Sequence, residues 1–386
     1  MQYRRAGDWQ ISTIGFGCYG LSGAYGPVDS RAYRKTILQA FELGINYFDT
    51  AEGYGGAESF LGEVVAPFRD QVYIATKLSG ESGIPDLSTG AVQNACEGSL
   101  RRLGMDVIDL YQIHFDDPQT PILETVEAME SLIAQGKIRQ YGICHLPLAR
   151  AAEYARVGSP FSILMELSPV ARTSLDTLLP LCHEHAMAAI AFSVTGRGIL
   201  SDRFGPGFAF DAGDIRRMDP LFKHDRIQSA LRIREKLSAF GQRYDATAVQ
   251  MGIAWVLAQP QVTCALTGTA SSEHLAENTA AAEITLDSAD LDALRAFFQE
   301  EDAWLAAAEV KTIHDLLHSP LPEDPEIAFN DLVYVLETAI INAMIQEGEA
   351  IPVFKELFAL RKTLGQDARL KMKAIQVLLQ GMIAAD

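Results

Sequence analysis

Cysteine is scarce in this chain. Its 386 residues hold five, Cys18, Cys96, Cys144, Cys182 and Cys264. They form no Cys-x-x-Cys pair and their number is odd, which leaves no disulfide framework; a reduced, cytoplasmic protein with buried thiols is expected. Positive charge is scarce too: 32 Lys and Arg against 50 Asp and Glu give a net charge of −18. That balance disfavours nucleic acid or an anionic membrane surface as the main partner and favours solubility. Long apolar runs are missing. No stretch reaches the ~20 residues of a membrane span, and Met1-Gln-Tyr-Arg-Arg-Ala carries no apolar segment after its basic pair, so no secretory leader is expected. Internal repeats and low-complexity segments are absent as well.

What the chain has is a large apolar fraction, 48% of residues, dealt out as short strands alternating with helical segments. That alternation is the signature of a parallel sheet wrapped by helices. After a short hairpin near Gln10 to Ile14, strands are expected at Gly15–Cys18, Ile45–Phe48, Val72–Lys77, Asp109–His114, Gln140–Cys144, Ser162–Glu166, Ala188–Phe192 and Val262–Leu266. Helices are expected between them, among them Ser30–Leu43 ended by Gly44, Glu58–Val65, Ser88–Leu103 capped by Ser88, a helix opened by Pro121 and ended by Gly136, Leu148–Val157, Asp176–His185 and Ser271–Ala280. Eight strand–helix steps are the count of a closed (β/α)8 TIM barrel of the α/β class. An insert from Gly198 to Pro260 adds two helices, about Lys223–Arg243 and Thr247–Gln259, and Asp287–Trp304 adds one more. Domains are therefore expected at 1–304, the barrel, and 305–386, an all-helical extension of unassigned role broken at Pro320, Pro322 and Pro325. Packing as a cap, self-association into a homo-oligomer and a substrate lid are all open for that extension.

Polar residues gather at the ends of three consecutive strands. Asp49 closes the strand in Asn46-Tyr-Phe-Asp-Thr-Ala-Glu-Gly-Tyr-Gly55, and Tyr54 follows in its glycine-rich loop. Lys77 and His114 close the next two strands. In a parallel barrel these ends form one rim, where catalytic groups gather. Singly, each has an ordinary structural explanation: a turn, a surface ring, a solvated amine, a core imidazole. Together they build a tuned acid. A free phenol has a pKa of about 10; an adjacent ammonium favours the phenolate, a carboxylate holds the ammonium, and an imidazole orients the substrate oxygen. Such an acid serves a carbonyl gaining a proton on oxygen, for which hydride from a nicotinamide is the natural partner on carbon. No metal is needed.

These four motifs, with Gly15-Phe-Gly-Cys-Tyr-Gly-Leu-Ser22 and Tyr25-Gly-Pro27, resemble the bacterial and plant branch of the aldo-keto reductase family over residues 1 to 304. The resemblance implies that Asp49, Tyr54, Lys77 and His114 are the catalytic tetrad and that NADP is bound, with NAD open. In Ala191-Phe-Ser-Val-Thr-Gly-Arg-Gly-Ile-Leu-Ser201 it places Phe192 against the nicotinamide, and Ser193, Gly196, Gly198 and Leu200 around the pyrophosphate. In Leu266-Thr-Gly-Thr-Ala-Ser-Ser-Glu-His-Leu-Ala-Glu-Asn278 it assigns Glu277 and Asn278 to the adenine and Thr269 to the 2′-phosphate. Gly268 and His274 stand where many members carry Lys and Arg, so a 2′-phosphate meets less positive charge here. Cys144-His145 replaces a family Ser-Asn at the nicotinamide amide, Leu164 replaces a Gln, and Glu166 is retained. Tyr19, Tyr25, Phe115 and the insert from Gly205 to Phe222 are the expected substrate side, for a small aldehyde, ketone or sugar carbonyl or the matching alcohol. Two other classes remain: a nicotinamide-binding redox-sensing or interaction module with slow turnover, and an aldolase using Lys77 as a Schiff base.

Overall fold

A hairpin opens the chain, β1 (Tyr3–Ala6) against β2 (Trp9–Ser12), with Ala6 opposite Trp9 and Gly7 at φ 54° in the turn. It lies earlier than the sequence pattern suggests because the turn falls at Gly7-Asp8, a two-residue loop that the left-handed glycine makes tight. In this computed structural model the described residues are 1–79, 85–144, 146–204, 208–211, 213–360 and 366–383. The strands and helices that follow are β3 (Ile14–Gly17), α1 (Ser30–Glu42), β4 (Tyr47–Asp49), α2 (Ala57–Val65), β5 (Tyr73–Leu78), α3 (Thr89–Leu103), β6 (Ile108–Ile113) and α4 (Ile122–Ala134). Then come β7 (Ile138–Cys144), α5 (Leu148–Val157), β8 (Ser162–Glu166), α6 (Leu178–Glu184), β9 (Ala188–Phe192), α7 (His224–Gly241), α8 (Ala248–Leu257), β10 (Val262–Thr267) and α9 (Ser272–Ala280). Strands β3 to β10 close in the order β10-β3-β4-β5-β6-β7-β8-β9, every neighbour parallel. This is the expected (β/α)8 barrel.

The barrel interior follows from strand alternation. Tyr47, Ala75, Leu110, Cys144, Leu164, Ile190, Cys264 and Leu266 form one buried apolar cluster with Trp9 and Ile11 of the hairpin. Trp9 stacks on Tyr73 at 4.6 Å between centroids and tilts against Phe161 at 4.5 Å. Tyr73 opens β5 and Phe161 precedes β8, so the hairpin plugs the end of the barrel where strands begin. Side chains two residues further along a strand share its face. From Tyr47, Ala75 and Leu110 that step reaches Asp49, Lys77 and Gln112, all buried, and the polar site stands on the apolar layer.

Some local expectations differ in detail. Ser88 takes the N-cap position of α3, but its side chain makes no capping bond; Glu124 instead accepts from the Thr89 N–H at 3.0 Å. The helix expected to stop at Trp304 runs on as α10 (Ser288–His318), because Leu305-Ala-Ala-Ala-Glu is strongly helix-forming and no Gly or Pro intervenes before Pro320. Three helices follow: α11 (Pro325–Ile341), α12 (Glu347–Leu360) and α13 (Gln366–Ile383).

The chain divides into two compact units, residues 1–214 with 234–291, and residues 215–233 with 292–386. The second unit has its own core, including Ile313, Leu317, Phe329, Leu336, Leu357, Met372 and Leu379. It therefore takes in part of the insert as well as the tail. His224 reaches Asp331 at 2.9 Å, Arg226 donates to Glu309 at 2.7 Å, and Arg232 to Glu301 at 2.9 Å.

Helix α2 approaches the end of α3 closely at Gly62, where a Cβ would lie 2.0 Å from the Leu103 carbonyl oxygen. Gly62→Ala is expected to force the two helices apart and lower stability by about 1–3 kcal/mol, the usual range for overpacking, measured as a lower midpoint in urea.

Candidate active site

Asp49, at the end of β4, meets Lys77 of β5 inside the barrel: Lys77 Nζ donates to Asp49 Oδ1 at 2.5 Å and to the Thr50 carbonyl at 2.7 Å. Gln112 Nε2 donates to the second carboxylate oxygen at 3.2 Å. Burial pulls the Lys77 amine down, but Asp49 and Tyr54 outweigh it and hold Lys77 above the ordinary lysine range. Burial lifts the Asp49 carboxyl, while Lys77 and Gln112 act to lower it. Lys77 is thus a fixed cation. A Schiff-base amine must be neutral to attack a carbonyl, so this environment opposes the aldolase chemistry.

Tyr54 lies in the loop between β4 and α2, with Lys77 Nζ 5.1 Å from its ring centroid. The Tyr54 and His114 rings meet edge to face, with centroids 5.9 Å apart. Burial raises the Tyr54 pKa above the ordinary phenol value, and the Lys77 charge pulls against that rise. At neutral pH the phenol is therefore protonated, the form of a proton donor. His114 follows β6 and is buried, with Nδ1 2.8 Å from the Ser79 hydroxyl. All four expected catalytic residues converge.

The expected substrate-side aromatics adjoin them. Tyr19 lies edge-on to Tyr54 at 5.0 Å and to Tyr25 at 5.4 Å, and Phe115 stacks on His114 at 4.2 Å. Tyr25 and Phe115 are exposed. Of the insert expected on this side, 205–207 and 212 lie outside the described residues, as does His145.

On the other flank, β9 ends at Phe192 and the backbone turns left-handed at Ser193, Gly196, Arg197 and Gly198, with φ of 55°, 58°, 52° and 91°. Arg197 pairs with Glu166 at 2.8 Å. Arg234 Nη1 donates to the Ser201 carbonyl at 3.1 Å and also to that of Phe204, tying down the loop's end. Leu200 is buried. Cys144 and Leu164 belong to the apolar core, the Cys144 thiol donating to the His114 carbonyl at 3.3 Å.

After β10, the Thr269 hydroxyl accepts the Ser271 N–H at 3.0 Å, and Ser271 caps α9 by accepting from the His274 N–H at 3.3 Å. Glu277 Oε1 accepts from Thr247 at 2.6 Å, Asn278 is buried, and His274 is exposed. Gly268 has a steric reason: a Cβ there would lie 2.3 Å from the Gly17 carbonyl oxygen. The ends of β10 and β3 close on each other with no room for a side chain.

Gln112, Ser79 and Arg197 are parts of the site that sequence reasoning did not single out. A signal existed for two of them. Gln112 sits two residues before His114 and Ser79 two after Lys77, so alternation puts each on its neighbour's face.

The model of the Aldo/keto reductase family matches residues 13–298. Aldo-keto reductase str7 of Strobilurus tenacellus is 33% identical over 315 residues, 78% of this chain and 92% of the relative. The NADH-specific methylglyoxal reductase of Escherichia coli is 29% identical over 311 residues, 75% of this chain and 95% of the relative. Among solved structures, an aldo/keto reductase from Klebsiella pneumoniae in complex with NADP and acetate superposes with a TM-score of 0.60 at 26% identity, covering 77% of this chain and 95% of that one. No helix among the described residues is long and apolar enough to cross a membrane. With a barrel of this order, a polar quartet on its rim and a family match over most of its length, the chain belongs to the aldo/keto reductase family and is an oxidoreductase.

Proposed function

We propose that the chain reduces a small aldehyde, ketone or sugar carbonyl with a nicotinamide dinucleotide, reversibly, with Tyr54 as general acid and base. The observation that carries this is the meeting of Tyr54, His114 and the Asp49–Lys77 pair around one point, with Lys77 5.1 Å from the phenol ring. A nicotinamide dinucleotide, when bound, would supply or take the hydride at the carbonyl carbon. Tyr54 gives its hydroxyl proton to the carbonyl oxygen in reduction and takes one in oxidation. Lys77 stabilises the phenolate left behind, Asp49 keeps Lys77 charged and in place, and His114 orients the oxygen. Tyr19, Tyr25 and Phe115 offer aromatic faces to an apolar or planar substrate.

The residues fit such a cofactor. Phe192 offers a ring beside the core, the loop after it is a compact left-handed turn whose Gly196, Gly198, Ile199 and Leu200 amides donate to carbonyls of the same loop, and α9 begins with a capped N-terminus followed by Glu277 and Asn278. Cys144 and Leu164, as core residues, leave the carboxamide end to other groups. Thr269 and His274 are the groups available to a 2′-phosphate, since Gly268 has no space for a cation. NADP is the family's cofactor and NAD is compatible with this weaker charge. Relatives include both an aldo/keto reductase solved with NADP and an NADH-specific methylglyoxal reductase.

We assign the chemistry to the barrel unit, residues 1–214 with 234–291, and self-association to the helical unit, residues 215–233 with 292–386, rather than to a tail beginning at 305. Leu370, Val377 and Leu378 of α13 recur on one helical face and are exposed, Leu370 to 75%. The five described thiols are all unpaired and buried, which supports a reducing, cytoplasmic setting.

Tyr54→Phe is expected to cut carbonyl turnover by roughly 10²–10⁴-fold, the usual weight of general acid catalysis, with dinucleotide affinity unchanged by fluorescence titration; unchanged turnover refutes the role. Because the Tyr54 pKa is raised, the acid form is present below it: reduction is expected to stay level through neutral pH and fall on the alkaline side, while alcohol oxidation rises there. In paired NADPH and NADH titrations, His274→Arg is expected to tighten NADPH selectively. Gly268→Lys should weaken both cofactors by displacing β3; selective NADPH gain from it would contradict the steric argument. Leu370→Glu with Leu378→Glu is expected to lower the mass by light scattering to that of one chain, and a wild-type monomer at high concentration rules out the self-association.

A further inference from the structure

An ordered polar chain leads away from His114. Its first link is the 2.8 Å contact between His114 Nδ1 and Ser79 Oγ, both groups buried. Ser79 is itself held: its backbone N–H donates to Glu52 Oε2 at 3.2 Å. Glu52 in turn accepts from Arg102 Nη2 at 3.3 Å on its other oxygen. Arg102 Nε donates to Glu58 Oε2 at 2.5 Å, and the fully buried Glu58 accepts the Thr76 hydroxyl at 2.6 Å. Arg102 Nη2 also reaches Ser99 Oγ at 3.2 Å. Glu52 stands two residues before Tyr54 and Ser79 two after Lys77, so the chain ties the Tyr54 loop to the imidazole through the strand that carries the lysine.

A neutral imidazole carries one N–H, and the partner on one ring nitrogen decides what the other offers. To orient a carbonyl oxygen, His114 must present N–H at Nε2; a lone pair there would face the oxygen's own lone pairs. That requires Nδ1 to accept. A serine hydroxyl has one O–H to give, and Ser79 holds it 2.8 Å from Nδ1 with its own backbone fixed by Glu52. A mobile water at that position would leave the tautomer and the ring plane free.

We propose that Ser79 is a positioning residue that donates its O–H to His114 Nδ1, setting the Nε2–H tautomer, and that Glu52, clamped by Arg102, holds Ser79 in register. The inference rests on the reading of His114 as the group that orients the substrate oxygen. Its primary readout is spectroscopic and needs no turnover, so it can be judged even if the reductase reading falls.

The test uses the full chain labelled with 15N-histidine. Long-range proton–nitrogen spectra report which ring nitrogen carries the proton, and comparison with His114→Gln identifies His114 among the eight histidines. The wild type is expected to show the Nε2–H pattern at His114. Ser79→Ala should convert it to a mixture of tautomers, and Ser79→Thr, which keeps a hydroxyl, should restore it. In the same variants kcat/KM for a carbonyl panel is expected to fall about tenfold in Ser79→Ala, the loss of one buried hydrogen bond, and recover in Ser79→Thr, with NADPH and NADH affinities unchanged. An Nδ1–H pattern in the wild type overturns the proposal, and so does an unaltered His114 spectrum in folded Ser79→Ala. A wild type with the Nε2–H pattern but no carbonyl turnover would sink the reductase reading and leave the tautomer assignment standing.

Discussion

The contact between Lys77 and Asp49 is the constraint on which the site depends. Two full charges have been taken into the barrel, at an effective penalty of several kcal/mol per ion. The 2.5 Å approach, the Thr50 carbonyl and the Gln112 amide offset that penalty only while all are present. Such a pair contributes little net stability over an apolar replacement, yet removing one partner leaves the other charged and buried, at about 3–5 kcal/mol. The charge at the strand ends and structural integrity are therefore one property in this barrel. The apolar layer below, from Tyr47 to Leu266, keeps the local polarity low and makes the ammonium an effective neighbour for the phenol.

The strand ends were legible because they are local. Asp49, Lys77 and His114 each terminate an apolar run, and the rule that parallel strand ends share a rim needs no knowledge of side-chain placement. Most strands lie within a residue or two of the positions their patterns suggest, and Ser162–Glu166 and Ala188–Phe192 coincide with them. What was not legible depends on contacts remote in sequence. The reason for Gly268 lies in the Gly17 carbonyl, on the strand that closes the barrel from the other end of the chain. The role of Ser79 depends on a histidine one strand away and a glutamate in another loop. The length of α10 is not legible either, because helix propensity carries it past Trp304 to His318.

Charge sets the terms for the cofactor. A chain at −18 repels a dinucleotide at long range, and close in, the loop after β9 commits Arg197 to Glu166 while the β10 segment has His274 where a stronger cation would serve. Main-chain dipoles can hold phosphate at no cost in net charge.

The second unit is discontinuous. Residues 215–233 emerge from synthesis well before the helices that contain Glu301, Glu309 and Asp331. Until those arrive, Arg226, Arg232 and His224 lack the carboxylates they meet in the finished protein, and Met218 lacks the apolar cluster it packs against. The segment that follows the loop after β9 is thus completed by helices made well after it. What reads in sequence as an appendage is, for this stretch, the other half of a folding unit, and a chain shortened at its C-terminus would carry an orphaned insert in its middle.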